Sequence, residues 1–172
     1  PIRLIESGPA AGAMAASYYS SLTGAENLIS FDMGGTTAKM CLIDGGQPDR
    51  KHDFEAGRVR RFQKGSGLPL KVSVVDMIEI GTGGGSIASI SEVGTLRVGP
   101  RSAGASPGPA CYGLGGEKPT VSDANLVLGY LSADYFLGGE MKLDLAAAEA
   151  AIKKEIADPL NLSVIEAAWG IH

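Results

Sequence analysis

Cysteine, histidine and tryptophan are scarce in this 172-residue chain, at two, two and one. Cys41 and Cys111 lie far apart in the sequence and form no CxxC. Two cysteines and two histidines do not make a structural zinc site by themselves. Free thiols in a reducing cytosol are the default for such a pattern, so the chain reads as cytoplasmic. A charge excess of one sign is also missing. Fifteen basic and 19 acidic residues leave a net charge of −4, which argues against a general nucleic-acid or membrane-surface binder. No stretch approaches the roughly 20 apolar residues of a membrane span, and no signal peptide is visible. One basic run, Arg58, Arg60, Arg61 and Lys64, departs from the mixed pattern. It reads as a solvated strand edge or loop, with an anion clamp as the alternative.

What is present is a core's worth of apolar residues, 44%, and 25 glycines that cluster. Clustered glycine puts function in loops. The length suggests one domain or one lobe of something larger. The chain starts at Pro1 without an initiator Met and stops at His172 inside an apolar helical pattern. The expectation is therefore a single fragment, 1–172, of a longer polypeptide.

The stretch from Leu28 to Lys39 organises the rest. An apolar run ends in Asp32, Gly34-Gly35 and Thr36-Thr37 follow, and a second apolar run reaches Ile43. Gly45-Gly46 then closes it with a turn. This pattern predicts a β-hairpin between buried strands, whose tight first turn carries Asp32 through Thr37. Glycines admit backbone N–H groups close to a ligand, and successive N–H groups form an anion-binding nest. A carboxylate at the strand end suits a hydrated Mg²⁺ that neutralises phosphate charge. Phosphate binding is the preferred reading of Gly34, Gly35, Thr36 and Thr37 over a bare turn.

Around this hairpin, Ser7-Gly8-Pro9 opens a helix of small residues that Gly24 ends, with Ser7 the expected cap. Arg58 to Phe62 is a possible strand, and Val72 to Ile80 reads as a buried one. Gly81-Thr82-Gly83-Gly84-Gly85-Ser86 follows at its end. Such a run survives where backbone approaches something closely: a ligand beside Gly83, Gly84 and Gly85, or a crossing point at a sheet edge. Ser86 to Val98 forms a further hairpin. Pro100 to Pro119 is long for a connector and mixes Ala, Pro, Cys and Tyr among its glycines, so it reads as an ordered functional loop. Cys111 has no evident His partner and reads as a buried thiol. Ser122 is expected to cap a helix through Leu131. Asp123 suits its first turn, with metal or substrate binding as the alternative. Asp144 caps a helix to Ala157 that Asp158-Pro159 stops, and Ser163 caps the last helix, with Trp169 in the core. Helices and strands together give an α/β or α+β architecture, one layer of sheet with helices against it.

The blocks Ser7 to Gly12, Phe31 to Lys39, Glu79 to Ala88, Val98 to Ala105, Pro107 to Gly113 and Pro119 to Gly129 resemble the hydantoinase A/5-oxoprolinase family, in the family's order. Thr82 stands where the family more often has alanine. The resemblance implies an α/β fold of the actin-like ATPase (ribonuclease H-like) class, a mixed sheet with packed helices. It also implies that this chain is a central portion, with flanking lobes outside it. The implied activity is ATP-dependent hydrolysis of hydantoin or 5-oxoproline rings through phosphorylation of the amide oxygen. The alternatives are a subunit of an ATP-dependent ketone carboxylase and a nucleotide-binding or docking lobe without chemistry of its own. ATP and Mg²⁺ are the implied cofactors, and a hydantoinase B-type subunit or domain the implied partner. On this resemblance Asp32 is catalytic and holds Mg²⁺, and Asp123 stays the second candidate metal carboxylate through the alternative to its place in the first helical turn. Gly34, Gly35, Thr36 and Thr37 hold phosphate, and Gly83, Gly84 and Gly85 border nucleotide or substrate.

Overall fold

The computed structural model describes residues 6–57 and 65–172. The basic run Arg58, Arg60, Arg61 and Lys64, and the possible strand from Arg58 to Phe62, lie outside the described residues. The chain divides into two compact units: Pro1–Asp32 with Lys39–Glu79, and Met33–Ala38 with Ile80–His172.

In the first unit, helix α1 spans Ser7–Thr23. Ser7 is not its cap. Glu6 takes that position in a left-handed conformation and caps nothing with its side chain, because its carboxylate pairs with Lys39. Gly24 ends the helix as expected, at φ 73°, with its N–H on the Ser20 carbonyl. Strands β1 (Leu28–Met33), β2 (Ala38–Asp44), β3 (Gln47–Pro48) and β8 (Ile78–Ile80) form one sheet. β2 and β3 are antiparallel, with Asp44 opposite Gln47. Gly45 and Gly46 between them both have positive φ, the double left-handed turn that matches strand twist and that glycine supplies without strain. Ala13, Cys41 and Ile43 make this unit's core, with Ala16, Leu28, Val75 and Met77 against them.

Two expectations for this unit need correction. β1 is not a buried strand, since Ile29 and Phe31 are 68% and 55% exposed. Val72 to Ile80 is not one strand either. It breaks into β7 (Val74–Val75) and β8. Asp76 sits between them, its carboxylate 2.6 Å from the Lys51 ammonium and its N–H on the Asp49 carbonyl. β7 pairs with β4 (Arg50–Lys51), and β5 (Phe54–Ala56) pairs with β6 (Leu68–Leu70).

In the second unit, β9 (Ser86–Ile90) and β10 (Leu96–Ser102) form the expected antiparallel hairpin. Its register slips between Val98 and Ser102, where Gly99 has φ 65°. Helices α2 (Val121–Val127), α3 (Leu145–Ile152), α4 (Asp158–Leu160) and α5 (Val164–Ile171) follow. Ala88, Val121, Ala124, Ile152, Ile156, Ala167, Ala168 and Ile171 close the main core. Asp144 and Ser163 cap α3 and α5 as expected, and Glu166 completes a capping box with Ser163. Pro159 does not stop the helix at Asp158. The chain widens into a π turn over Lys153–Ala157 and runs on to Leu160, where Asn161 leaves at φ 53°. A π turn ahead of the proline loosens the ladder its ring would otherwise break. Trp169 is not core but 56% exposed, meeting Tyr130 edge-on at 6.2 Å. Ala167, Ala168 and Ile171 take the buried face of α5 and leave Trp169 outside it.

Both cysteines are buried and unpaired. Burial is the main cause that pushes each thiol above its ordinary range. For Cys111 the Asp123 carboxylate adds to it, and for Cys41 burial exceeds a lowering backbone hydrogen bond, with the charges of Asp49 and Asp76 as smaller raising causes. Thiols raised in the folded state favour it below their unfolded pKa, so this contribution fades as pH rises beyond the ordinary thiol range. Iodoacetamide labelling of the native chain is accordingly expected to stay slow from pH 7 to 9, and to become fast at both positions in denaturant. Rapid native labelling of Cys111 would show that its thiol is accessible.

Candidate functional site

The candidate turn belongs to the second unit. Gly34 donates its N–H to the Thr37 carbonyl at 2.9 Å, which closes the turn. The turn is then held from behind by the glycine run that precedes β9. Gly84 N–H donates to the Gly34 carbonyl at 2.9 Å and Gly85 N–H to the Gly35 carbonyl at 2.7 Å. The carbonyls of Gly34, Gly35 and Thr37 are thus occupied, while the N–H groups of Gly35 and Thr36 have no acceptor among the described residues. Gly34, Gly35 and Thr36 are exposed and Thr37 is half-buried. Two free amides and two free hydroxyls at one open turn are what an anionic oxygen needs. The corner is not packed shut.

Gly83, Gly84 and Gly85 stand elsewhere than at an open ligand wall. Gly83 and Gly85 are buried, the Gly84 and Gly85 amides already serve the turn, and the Gly83 amide donates to the Ser86 hydroxyl. A Cβ on Gly83 would lie 2.6 Å from both the Thr36 nitrogen and its carbonyl carbon. One on Gly85 would lie 2.9 Å from the Gly35 oxygen, and one on Gly84 2.8 Å from the Ser122 hydroxyl. The close approach foreseen for these glycines is made by the protein's own backbone, and no side chain fits between.

Asp32 lies on β1 in the first unit, exposed, and its side chain makes no hydrogen bond or ion pair among the described residues. Beside it is the small-residue face of α1, where a Cβ on Gly12 would sit 3.6 Å from the Asp32 Oδ2. An alanine there would meet the carboxylate at ordinary van der Waals distance. Lys39 is turned to Glu6 in its pairing.

Asp123 is a different kind of carboxylate. It is fully buried and accepts four hydrogen bonds. The donors are the Ala110 N–H at 3.3 Å, the Cys111 N–H at 2.7 Å, and the Thr120 N–H and hydroxyl at 2.8 Å each. The geometry assigns it to a capping box with Thr120, which replaces Ser122 as the helix cap. Its lone pairs serve the loop and the helix start, so it does not fit a metal ion as Asp32 does. Sequence reasoning missed Thr120, although Thr-x-x-Asp before an apolar run is a legible signal for it. The Pro100 to Pro119 segment is ordered, as expected. Ala103 N–H holds the Gly85 carbonyl at 2.8 Å, and Asp123 gathers the short 3₁₀ turn Ala110–Tyr112.

Among the described residues, no three His, Cys, Asp or Glu side chains gather as a ready metal cage. Mg²⁺ commonly takes one or two carboxylates with substrate phosphates and water, and an exposed, unpartnered Asp32 fits that use. No helix among the described residues is long and apolar enough to cross a membrane.

Comparison with known proteins places this arrangement in company. A family model described as hydantoinase/oxoprolinase matches residues 1–172. An uncharacterized protein of Methanocaldococcus jannaschii, MJ0964, is 48% identical over 99% of this chain and 25% of its own length. The caprolactamase subunit alpha of Pseudomonas jessenii is 44% identical over 99% of this chain and 23% of its own. The crystal structure of the ATP-dependent caprolactamase from that organism superposes with a TM-score of 0.75, covering 96% of this chain and 23% of that one. A nucleotide-free acetone carboxylase, solved in a study of ATP-dependent acetone carboxylation, superposes with a TM-score of 0.72 at 37% identity, covering 93% and 21%. The chain therefore spans about a quarter of the length of these relatives.

Proposed function

The chain belongs to the hydantoinase/oxoprolinase family, and from that premise we propose that it is the phosphate-binding portion of an ATP-dependent enzyme that opens cyclic amides. The observation that carries this reading is the open turn, where the amides of Gly35 and Thr36 and the hydroxyls of Thr36 and Thr37 stand without acceptors or partners among the described residues. The likeness to an ATP-dependent caprolactamase and to an acetone carboxylase of ATP-dependent carboxylation supports it. An actin-like lobe is the fold that goes with this reading.

The chemistry is consistent with such a site. A lactam resists hydrolysis because its amide is resonance-stabilised. Attack of the amide oxygen on the γ-phosphorus breaks the bond to ADP and leaves an electrophilic carbon. Water would add there, the C–N bond would break to open the ring as the nitrogen takes up a proton, and a second water would release phosphate from the acyl phosphate that remains, leaving a carboxylate. The protein's task is positioning and charge neutralisation. Gly34 and Gly35 admit the phosphate chain without a Cβ in the way, the free amides and threonine hydroxyls donate to it, and Gly83, Gly84 and Gly85 fix the turn from behind. Asp32, which precedes the turn in sequence, is proposed as the Mg²⁺ carboxylate. The ion would supply neutralisation of phosphate charge.

A carboxylase subunit is the second reading, favoured by the acetone carboxylase likeness. Both readings include a second subunit or domain of the hydantoinase B type, since the caprolactamase relative is itself a subunit. The two unpaired thiols support a cytoplasmic setting. Phosphate release by the full-length protein with its partner separates the readings. Stimulation by hydantoin, 5-oxoproline or caprolactam supports the hydrolase. Stimulation only by ketones with bicarbonate supports the carboxylase, and no ATP turnover with any of them contradicts both.

A further inference from the structure

The buried Asp123–Thr120 pair is too elaborate for the end of a seven-residue helix. α2 has Asp123 at its third position, entirely out of water. No Lys, Arg or His among the described residues pairs with it. Four protein donors converge on it instead, and burying a carboxylate is costly unless its lone pairs are all served. Such a group holds several backbone segments at fixed distances from one another.

Those segments lead to the turn. Asp123 fixes Thr120, and Thr120 sets the first turn of α2. The next residue but one, Ser122, donates its N–H to the Gly84 carbonyl at 2.8 Å. Gly84 in turn donates to Gly34 at 2.9 Å. A parallel line runs through the loop that Asp123 gathers, where Ala103 donates to the Gly85 carbonyl at 2.8 Å and Gly85 to Gly35 at 2.7 Å. The Ser122 hydroxyl leaves no room for a Cβ on Gly84, so the start of α2 packs directly against the glycine run. Ile87 and Thr120 bridge the same helix start to β9, and the Pro119 carbonyl accepts from Ala88.

We infer that Asp123, with Thr120, is a positioning residue for the Gly34–Thr37 turn, acting through Ser122 and Gly84 on one side and Ala103 and Gly85 on the other. It sets the direction of the free Gly35 and Thr36 amides without touching the ligand. This role rests on the phosphate-binding reading above. The carboxylate is required, because an amide in its place would set an NH₂ among four donors.

Asp123→Asn is expected to unfold the second unit, so the test uses Thr120 in the full-length protein. Thr120→Val keeps the shape and loses the hydroxyl, and Thr120→Ser keeps the hydroxyl. Hydrogen exchange at the Gly84 and Gly85 amides and titration with Mg·ADP are the two readouts. Thr120→Val is expected to speed exchange at both amides and to weaken Mg·ADP binding about tenfold, the size of one lost buried hydrogen bond. Thr120→Ser is expected to behave as wild type in both. Ile156→Val, a change in the apolar core of the same unit, is expected to lower the melting temperature and leave Mg·ADP affinity unchanged. The inference is overturned if Thr120→Val leaves exchange at Gly84 and Gly85 unchanged, or if Ile156→Val weakens binding as much as Thr120→Val does. Absence of Mg·ADP binding in the wild type would strike the phosphate reading itself, and the exchange readout then decides the positioning role alone.

Discussion

Gly83→Ala is expected to cost this chain about 3 kcal/mol or more, at the upper end for forcing extra volume into a packed site. The reason lies in backbone on both sides. The added Cβ would fall 2.6 Å from the Thr36 nitrogen and carbonyl carbon and 2.7 Å from the Gly34 oxygen. Neither neighbour is a flexible side-chain end that swings aside. Either the glycine run retreats and the Gly84-to-Gly34 and Gly85-to-Gly35 bonds break, or the turn is pushed off its support. Gly35→Ala is the matched contrast. Nothing lies within 4 Å of its Cβ position and its φ is not positive, so its stability is expected to stay within about 0.5 kcal/mol of wild type. Urea denaturation of both variants checks the pair. Equal midpoints would show that the turn and the glycine run do not pack as described.

Asp32→Asn is expected to lower ATP turnover of the full-length enzyme about a hundredfold or more, the scale for removing one group from a site built to neutralise developing charge. The melting temperature is expected to stay where it is. Asp32 is exposed, and its carboxylate stabilises nothing in the described structure through a hydrogen bond or ion pair. This combination separates it from Asp123, where loss of the carboxylate is expected to unfold the unit before any catalytic effect is readable. Unchanged turnover in Asp32→Asn removes Asp32 from the site.

The two carboxylates show how far the sequence carried. Both stand beside chemistry-bearing segments, and metal binding is an expectation for Asp32 and the alternative to helix capping for Asp123. The capping preference for acids in a first helical turn was the better guide for Asp123. The spacing from Thr120 is the readable part of that geometry. The Ala110 and Cys111 amides, which arrive from a loop, are not readable at all. The glycine run tells a similar story. A backbone forced into close approach leaves the same residue pattern whether a ligand or another strand is what approaches, so Gly83, Gly84 and Gly85 announced proximity without its partner. Local signals fared best: Gly24, Gly45-Gly46, the β9–β10 hairpin and the Ser163 cap depend on neighbours in sequence. Burial fared worst. Leu28 to Met33 has the composition of an inner strand, yet Ile29 and Phe31 face outward. Trp169 is displaced from the core by two alanines and an isoleucine whose claim depends on the packing of α5.

Hydrogen exchange of the full-length protein with and without saturating Mg·ADP addresses the turn itself. The account predicts that the amides of Gly35 and Thr36, free in the unliganded chain, slow markedly when nucleotide binds. Binding that protects other segments and leaves residues 33–37 exchanging at their original rate would contradict it.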